Sequence, residues 1–182
     1  MKNFKIALYL FFVMVISVSL LLAVEKKKNE KPAKEEKTEQ ELKEIDWKTY
    51  PEGLKLGANT NKQIFIDFST SWCGWCKKMD RETFTDPDVI KMLNDNFVSV
   101  RVVGDSKNQL DIDGYKISER DLTSREFGVR GFPAFWFLES DGSKIGPLSG
   151  YQPAETFMKA LTFVHEEKYK PEKDNSQQKK QP

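Results

Sequence analysis

The longest apolar run of the chain lies near its N-terminus, at residues 6–24, and Lys2 and Lys5 precede it. Its 19 residues, at a rise of about 1.5 Å each, nearly span a bilayer core of about 30 Å. The run shows no polar face at helical spacing, which argues against a buried core helix. We expect residues 1–24 to form a membrane anchor or signal segment. Only one small residue, Ala23, suits a cleavage site, which favours an uncleaved anchor.

Two further segments are almost free of apolar residues. Residues 25–44 contain seven Lys and seven Glu, and residues 170–182 are also polar. Such segments bury too little apolar surface to offset the entropy of ordering. We therefore expect a charged tether at 25–44, a folded domain at 45–169 and a disordered tail at 170–182. The glutamates interleaved in the tether argue against a basic lipid-binding patch.

Within residues 45–169, short apolar runs alternate with stretches of helical periodicity. Strands are predicted at residues 64–68, 97–103, 134–139 and 144–149, the last two joined by a turn at Asp141-Gly142. Helices are predicted after Cys73, from Pro87 with Asp86 as its cap, from Glu119 with Ser118 as its cap to Gly128, and over residues 153–166. The first two strands, with helix between them, form a right-handed parallel crossover.

Two segments between these elements are predicted with less regular structure. A short leading helix is expected over residues 46–56, started or interrupted by Pro51, with Gly57 and residues 59–61 forming the turn that follows. Residues 104–118 are polar and rich in turn formers, and we expect a long loop there.

An acidic stretch within this loop, at residues 111–114, suggests a calcium-binding loop. Aligning Gly114 with the glycine of such a loop places Gln109 first and Arg120 last. Acidic ligands are required at both of those positions, so we reject the calcium interpretation.

Composition and charge narrow the classes of function. The 182 residues are 38% hydrophobic and 31% charged, with a net charge of +1, which suits one domain with appendages and does not indicate a nucleic-acid partner. Two cysteines and the single His165 cannot supply a four-ligand zinc site or a framework of several disulfides. We expect a monomer without a metal or other cofactor.

The two cysteines, Cys73 and Cys76, lie at the junction between a predicted strand and the start of a predicted helix. Unpaired backbone N–H groups and the positive end of the helix dipole favour thiolate over thiol at a helix start. Cys73 is therefore the expected nucleophile. Cys76 lies three positions on, on the same helical face and close enough to form a disulfide with Cys73, and it is the expected resolving thiol.

The order of these motifs resembles the thioredoxin fold. A strand leads into Trp72-Cys73-Gly74-Trp75-Cys76-Lys77, and Phe127-Gly128-Val129-Arg130-Gly131-Phe132-Pro133 precedes two hairpin strands and a last helix. The resemblance covers residues 45–168 and implies an α/β fold with a central mixed sheet flanked by helices. The insertion before Gly128 and the chain after it are more similar to extracytoplasmic thioredoxin-like proteins and the soluble domains of transmembrane electron carriers than to cytosolic thioredoxins.

The resemblance also implies roles for individual residues. Pro133 is similar to the cis-proline of the family, which lies against the active-site disulfide. Asp67 occupies the place of the buried acid beneath the resolving cysteine, where loss of solvent would raise its pKa and let it exchange a proton with Cys76. Trp75 stands where the commonest pattern of the family has proline, so no reduction potential is carried over.

Aromatic residues around Cys73 are expected to bind the partner polypeptide. The expected substrate surface comprises Trp72, Gly74, Trp75, Phe132 and Pro133. The alternative for each aromatic residue is core packing, which we expect instead for Trp47 and Trp136.

These residues predict a thiol–disulfide oxidoreductase that acts on protein disulfides or dithiols outside the cytoplasm, in the periplasm or at the outer face of the cytoplasmic membrane, tethered or secreted. We favour a reductase or electron carrier supplied by a membrane or soluble electron donor. The alternatives are a disulfide oxidase or isomerase, and a non-catalytic thioredoxin-fold binding module. A Cys–His hydrolase is disfavoured because His165 lies in the last predicted helix and is not expected to have a paired acid there.

Overall fold

The computed structural model describes residues 44–171. The predicted anchor or signal segment at 1–24, the tether except Glu44, and the tail after 171 lie outside the described residues. Within the described range, no helix is both long enough and apolar enough to cross a membrane.

The described residues form a mixed four-stranded sheet with helices on both faces. The elements are α1 (Tyr50–Thr60), β1 (Gln63–Ser69), α2 (Gly74–Glu82), α3 (Pro87–Asn96), β2 (Phe97–Val103), β3 (Gln109–Ile112), β4 (Tyr115–Ser118), α4 (Glu119–Asp121), β5 (Ala134–Leu138), β6 (Lys144–Ser149) and α5 (Ala154–His165). The strand order is β2-β1-β5-β6, with β1 and β2 parallel and the other neighbours antiparallel. This architecture confirms the predicted fold class and the parallel crossover.

The sheet is buried on both sides, and because successive residues of β1 point to opposite faces, this strand contributes side chains to both cores. Phe65 lies in one core, where its ring contacts those of Phe135, Phe137 and Phe157 at centroid distances of 5.8, 5.6 and 5.5 Å. Ile64 and Ile66 lie in the other core. Helices α2, α3 and α5 cover the first core, and α1 covers the second.

The leading helix extends further than predicted. It starts at Tyr50, with Pro51 in its first turn, and continues to Thr60. Gly57 and Asn59 therefore lie within the helix, which contradicts the predicted turn there, whereas Asn61, the last residue of the predicted turn, does reverse the chain with φ of 54°. Gly57 serves packing rather than a turn. A Cβ at Gly57 would lie 2.8 Å from the side chain of Ile64, so glycine lets α1 approach β1 closely.

The predicted loop at 104–118 was also wrong, because it contains the hairpin formed by β3 and β4. Asp113 and Gly114 make its two-residue turn with positive φ values of 52° and 92°, the conformation that an Asp-Gly pair favours. The apolar residues Leu110 and Ile112 of β3 pack against the second core. Their alternation with polar residues was a strand signal that the charged surroundings obscured.

The helix predicted from Glu119 begins as expected but changes its winding. Ser118 caps α4, its side chain accepting a hydrogen bond from the backbone N–H of Asp121. The chain then forms a π-helix over Leu122–Glu126, and Gly128 follows with φ of 64°. Short π-helical segments are frequent near functional sites, and this one leads into the segment that ends at Pro133.

Candidate active site

Cys73 and Cys76 lie at the junction of β1 and α2 and are joined by a disulfide, with their Cα atoms 5.3 Å apart. Cys73 is the N-cap of α2, and its Sγ accepts a hydrogen bond of 3.0 Å from the backbone N–H of Cys76. When the disulfide is reduced, this donor and the positive end of the helix would favour a thiolate at Cys73. The structure thus places Cys73 at the start of α2, and the roles of nucleophile for Cys73 and resolving thiol for Cys76 stay predictions.

The disulfide is recessed between exposed aromatic residues. Cys73 and Cys76 are only 4% and 5% exposed, whereas Trp72 and Trp75 are 68% and 58% exposed. Trp72 meets the ring of Phe132 edge-on, at a centroid distance of 5.9 Å. The recessed sulfurs therefore lie beside aromatic residues that are themselves open to solvent.

The contact between Trp72 and Phe132 brings the Pro133 segment beside the cysteine motif. The peptide bond between Phe132 and Pro133 is cis, and the carbonyl of Pro133 accepts a hydrogen bond of 2.9 Å from Gly150 N–H. Phe132 is close to the backbone of Gly104, where a Cβ would lie 2.8 Å from the phenyl ring. Around Gly74, by contrast, no atom lies within 4 Å of such a Cβ, so the surface between the cysteines is open.

Asp67 is buried in β1, with 2% of its surface exposed. Burial raises the pKa of Asp67 from 3.8 to about 6, and the charge of Arg101 opposes that rise. Arg101 Nε donates a hydrogen bond of 2.9 Å to Asp67 Oδ2. The expected proton exchange between Asp67 and Cys76 stays a prediction, because the hydrogen-bond partner that the structure gives Asp67 is Arg101.

Arg101 also links Asp67 to the protein surface. Its NH2 group donates a hydrogen bond of 2.7 Å to Asp80 Oδ1, and its guanidinium lies 4.1 Å from the ring centroid of Trp47. The sequence interpretation missed Arg101 and Asp80. The available signal was a single cation within the otherwise uncharged strand at 97–103, since a charge drawn partly into the core needs a partner.

The two tryptophans predicted for the core, Trp47 and Trp136, are half-buried at its margins. Trp47 packs edge-on against Phe84 at 5.3 Å, and Trp136 against Phe127 at 5.4 Å. Another aromatic residue, Tyr151, was not predicted at the site, although its ring centroid lies 5.5 Å from that of Trp75. Sequence separation conceals this contact, because Tyr151 follows β6.

Comparison with known proteins identifies the family. A thioredoxin-like domain model matches residues 50–165. The chain belongs to this family. The match spans both the cysteine motif and the segment ending at Pro133, so the resemblance inferred from the sequence is confirmed.

Individual relatives agree with the family. The chain is 33% identical over 112 residues to the thiol:disulfide interchange protein DsbD of Campylobacter jejuni, covering 60% of this chain and 18% of that protein. It is 32% identical over 134 residues to the uncharacterized protein B0495.5 of Caenorhabditis elegans, covering 68% of this chain and 17% of that protein. The chain thus spans under a fifth of the length of these two curated relatives.

A solved structure supports the same assignment. A thioredoxin from Thermus thermophilus superposes with a TM-score of 0.56 at 27% identity, covering 66% of this chain and 87% of that one. Family membership, the DsbD relative and the Cys73–Cys76 disulfide together support thiol–disulfide oxidoreductase activity.

Proposed function

We propose that this protein reduces disulfides of extracytoplasmic polypeptides by thiol–disulfide exchange. The observation that carries the proposal is the Cys73–Cys76 disulfide at the start of α2, with the Cys76 amide directed at the Cys73 sulfur. A purely structural disulfide needs neither this donor nor a position between two largely exposed tryptophans. A redox-active pair uses both, because it must stabilise a thiolate and admit a partner.

The proposed reaction begins with the reduced pair. The Cys73 thiolate attacks one sulfur of the substrate disulfide, and the other substrate sulfur leaves as a thiolate. Cys76 then attacks the Cys73 sulfur, which re-forms the Cys73–Cys76 disulfide and releases the second substrate thiolate. Two electrons pass from the pair to the substrate, and a dithiol donor restores the pair by the reverse exchange.

Asp67 is the proposed acceptor of the Cys76 proton during the second step. A carboxylate with a pKa of about 6 is ionised near neutral pH and still basic enough to take a proton from a thiol. Trp72, Trp75 and Phe132 are the proposed contacts to the substrate polypeptide, with Gly74 leaving space between the cysteines and Pro133 ending the facing segment.

The proposed setting is extracytoplasmic, in the periplasm or at the outer face of the cytoplasmic membrane. The apolar run at 6–24 would anchor or export the chain, residues 25–44 would hold the domain at 45–169 away from the bilayer, and residues 170–182 would form a solvated tail. The name of the Campylobacter jejuni relative, thiol:disulfide interchange protein, is consistent with protein disulfides as substrates. We propose a monomer, and a membrane or soluble thiol protein as its electron donor.

Insulin reduction and partner trapping test the activity. The wild type should catalyse insulin reduction by a dithiol, and Cys73→Ser should abolish it. In cells, Cys76→Ser should accumulate a mixed disulfide with its partner through Cys73. Cys73→Ser is the matched control and should trap no partner by this route. Cellular function that survives Cys73→Ser would instead support a non-catalytic binding module.

The direction of electron flow is tested by the reduction potential. A reductase should equilibrate with glutathione in the range of thioredoxin, at about −270 mV, whereas a value near that of the oxidant DsbA, about −120 mV, would assign the protein as an oxidase.

The proposed location is tested by labelling reduced cells with a membrane-impermeant thiol reagent. The wild type should be labelled in intact cells, and the variant lacking both cysteines should not.

A further inference from the structure

The segment that follows β6 is held to α2 and to its C-terminal cap by three contacts. The hydroxyl of Tyr151 donates a hydrogen bond of 2.6 Å to Glu82 Oε2. The backbone N–H of Gln152 lies 3.3 Å from Met79 Sδ, and the Gln152 carbonyl accepts a hydrogen bond of 2.7 Å from the Thr83 hydroxyl. The position of Tyr151 is therefore set by the same helix that carries the cysteines.

The other end of this segment is fastened to the substrate side of the site. Gly150 has φ of 82°, a conformation that favours glycine, and its N–H donates to the Pro133 carbonyl at 2.9 Å. Residues 150–152 thus join the cysteine helix to the segment that ends at Pro133. The position of the Tyr151 side chain is therefore constrained relative to both the helix and that segment.

Tyr151 uses this position to support Trp75. The two rings lie 5.5 Å apart between centroids, and Lys78 Nζ lies 4.5 Å from the Tyr151 centroid and 5.3 Å from the Trp75 centroid. Glu82, which accepts from Tyr151, is also 3.7 Å from Lys78 Nζ. Trp75 is 58% exposed, but Tyr151 and Lys78 contact its ring. The side chain of Trp75 therefore loses less conformational freedom when a ligand binds.

We infer that Tyr151 is a positioning residue that holds Trp75 as a preformed wall beside the disulfide, selecting polypeptide disulfides flanked by a large apolar side chain. This inference rests on the proposed function and names its substrate class. Trp72, which directly precedes Cys73 and has the ring of Phe132 against it, supplies a second aromatic wall. A flanking aromatic or aliphatic side chain gains contact area from these walls, whereas a small disulfide that reaches only the sulfur gains none.

Three substrates of graded size test the inference. Two disulfide-bridged peptides are identical except for Phe or Gly beside one cysteine, and glutathione disulfide is the third. The wild type should favour the Phe peptide through a lower KM. Tyr151→Ala should raise the KM for the Phe peptide about two- to twelve-fold, the range given by one aromatic contact. Its kcat should change less than twofold, and its kcat/KM for the other substrates should remain unchanged.

Conservative variants separate positioning from general support. Tyr151→Phe removes only the hydroxyl and should raise the KM for the Phe peptide less than Tyr151→Ala does. Glu82→Gln keeps a hydrogen-bond acceptor and should match the wild type more closely than Glu82→Ala. Tyr115→Phe is the matched control, because Tyr115 is also exposed, at 58%, but lies on the β3–β4 hairpin. It should have no effect.

The possible results are distinct. If the wild type reduces all three substrates and Tyr151→Ala keeps the preference for the Phe peptide, the inference is overturned and the proposed function stands. An equal loss of kcat on all three substrates in Tyr151→Ala also overturns it, because it indicates a structural support. If the wild type reduces none of them, the proposed function fails and the inference fails with it.

Discussion

Arg101 and Asp67 are paired directly across the parallel strands β2 and β1, and the Arg101 side chain donates a hydrogen bond of 2.9 Å to the buried carboxylate of Asp67. Arg101 is itself 30% exposed at its side chain and also binds Asp80. A negative charge in the core is therefore compensated by a cation that remains in partial contact with water. This arrangement makes the charge state of Asp67 a measurable component of stability.

Replacing Asp67 should change how the stability of the oxidised protein depends on pH. Its pKa is raised from 3.8 to about 6, so between these values the folded protein binds the proton more tightly than the unfolded chain. Stability is then lost as pH rises through that window, by up to about 3 kcal/mol. Asp67→Asn should be more stable than the wild type at about pH 7.5, by about 1–3 kcal/mol, with a much smaller difference at about pH 4.

Urea denaturation of the oxidised proteins at both pH values measures this effect. Asp141→Asn is a control on another acid, because Asp141 is exposed and its pKa is lowered by hydrogen bonds from Ser143. It should not reproduce the gain at neutral pH. Parallel pH curves for Asp67→Asn and the wild type would contradict the assignment of the raised pKa to Asp67.

Replacing Arg101 should destabilise the protein at neutral pH, in contrast to replacing Asp67. Arg101 lowers the pKa of Asp67 against the effect of burial, so Arg101→Met should raise that pKa further and leave an unpaired buried carboxylate at neutral pH. Loss of one partner of a buried pair costs about 3–5 kcal/mol, and the partial exposure of Arg101 reduces this to about 2 kcal/mol. The loss should be smaller at about pH 5, where Asp67 is largely protonated.

The control for Arg101→Met is Lys91→Met, which breaks an exposed pair with Asp95 on α3. Such a pair contributes about 0.3–0.5 kcal/mol. The double variant Asp67→Asn/Arg101→Met should recover most of the stability lost in Arg101→Met, because no buried charge is left. If the changes in unfolding free energy of the two single variants simply add in the double variant, the two residues do not interact.

Gly53 should be intolerant of any side chain. It lies in α1 against β2, and a Cβ at Gly53 would lie 2.1 Å from Val100 Cγ2. Alanine improves helix propensity by about 1 kcal/mol, but the clash with a branched side chain in the core should outweigh that gain. Gly53→Ala should lower the unfolding free energy by about 1–3 kcal/mol. Gly146→Ala, where no atom lies within 4 Å of the added Cβ, should change thermal stability little.

The start of α3 depends on Asp86. Its Oδ1 accepts hydrogen bonds from the backbone N–H groups of Asp88 and Val89, at 3.0 and 3.1 Å. Asp86→Ala removes both acceptors and should cost about 1 kcal/mol. Asp86→Asn keeps a capping oxygen and should retain most of the stability. Equal melting temperatures for the two variants would show that the cap contributes little.

Residues close together in the chain account for what was predicted correctly. The apolar run before Cys73, the Cys-x-x-Cys spacing and the Asp86-Pro87 opening are local features, and each was found where the structure has it. The β3–β4 hairpin was missed despite its Asp-Gly turn, because polar residues dominate that segment. Gly57 was misassigned to a turn because the need for glycine there comes from close packing against Ile64, which is not evident from the sequence.

The amino-acid pattern determined the order of helices and strands outside residues 104–118 and the chemistry of the cysteine pair, because strand periodicity, capping and a two-residue spacing between thiols act within a few residues. Only the tertiary structure decided that Arg101 neutralises Asp67 and that Tyr151 supports Trp75, since each partner comes from a separate element. The physical reason is that strand register and helix packing bring together residues that are far apart along the chain, so the electrostatic environment of Asp67 exists only once the sheet has formed.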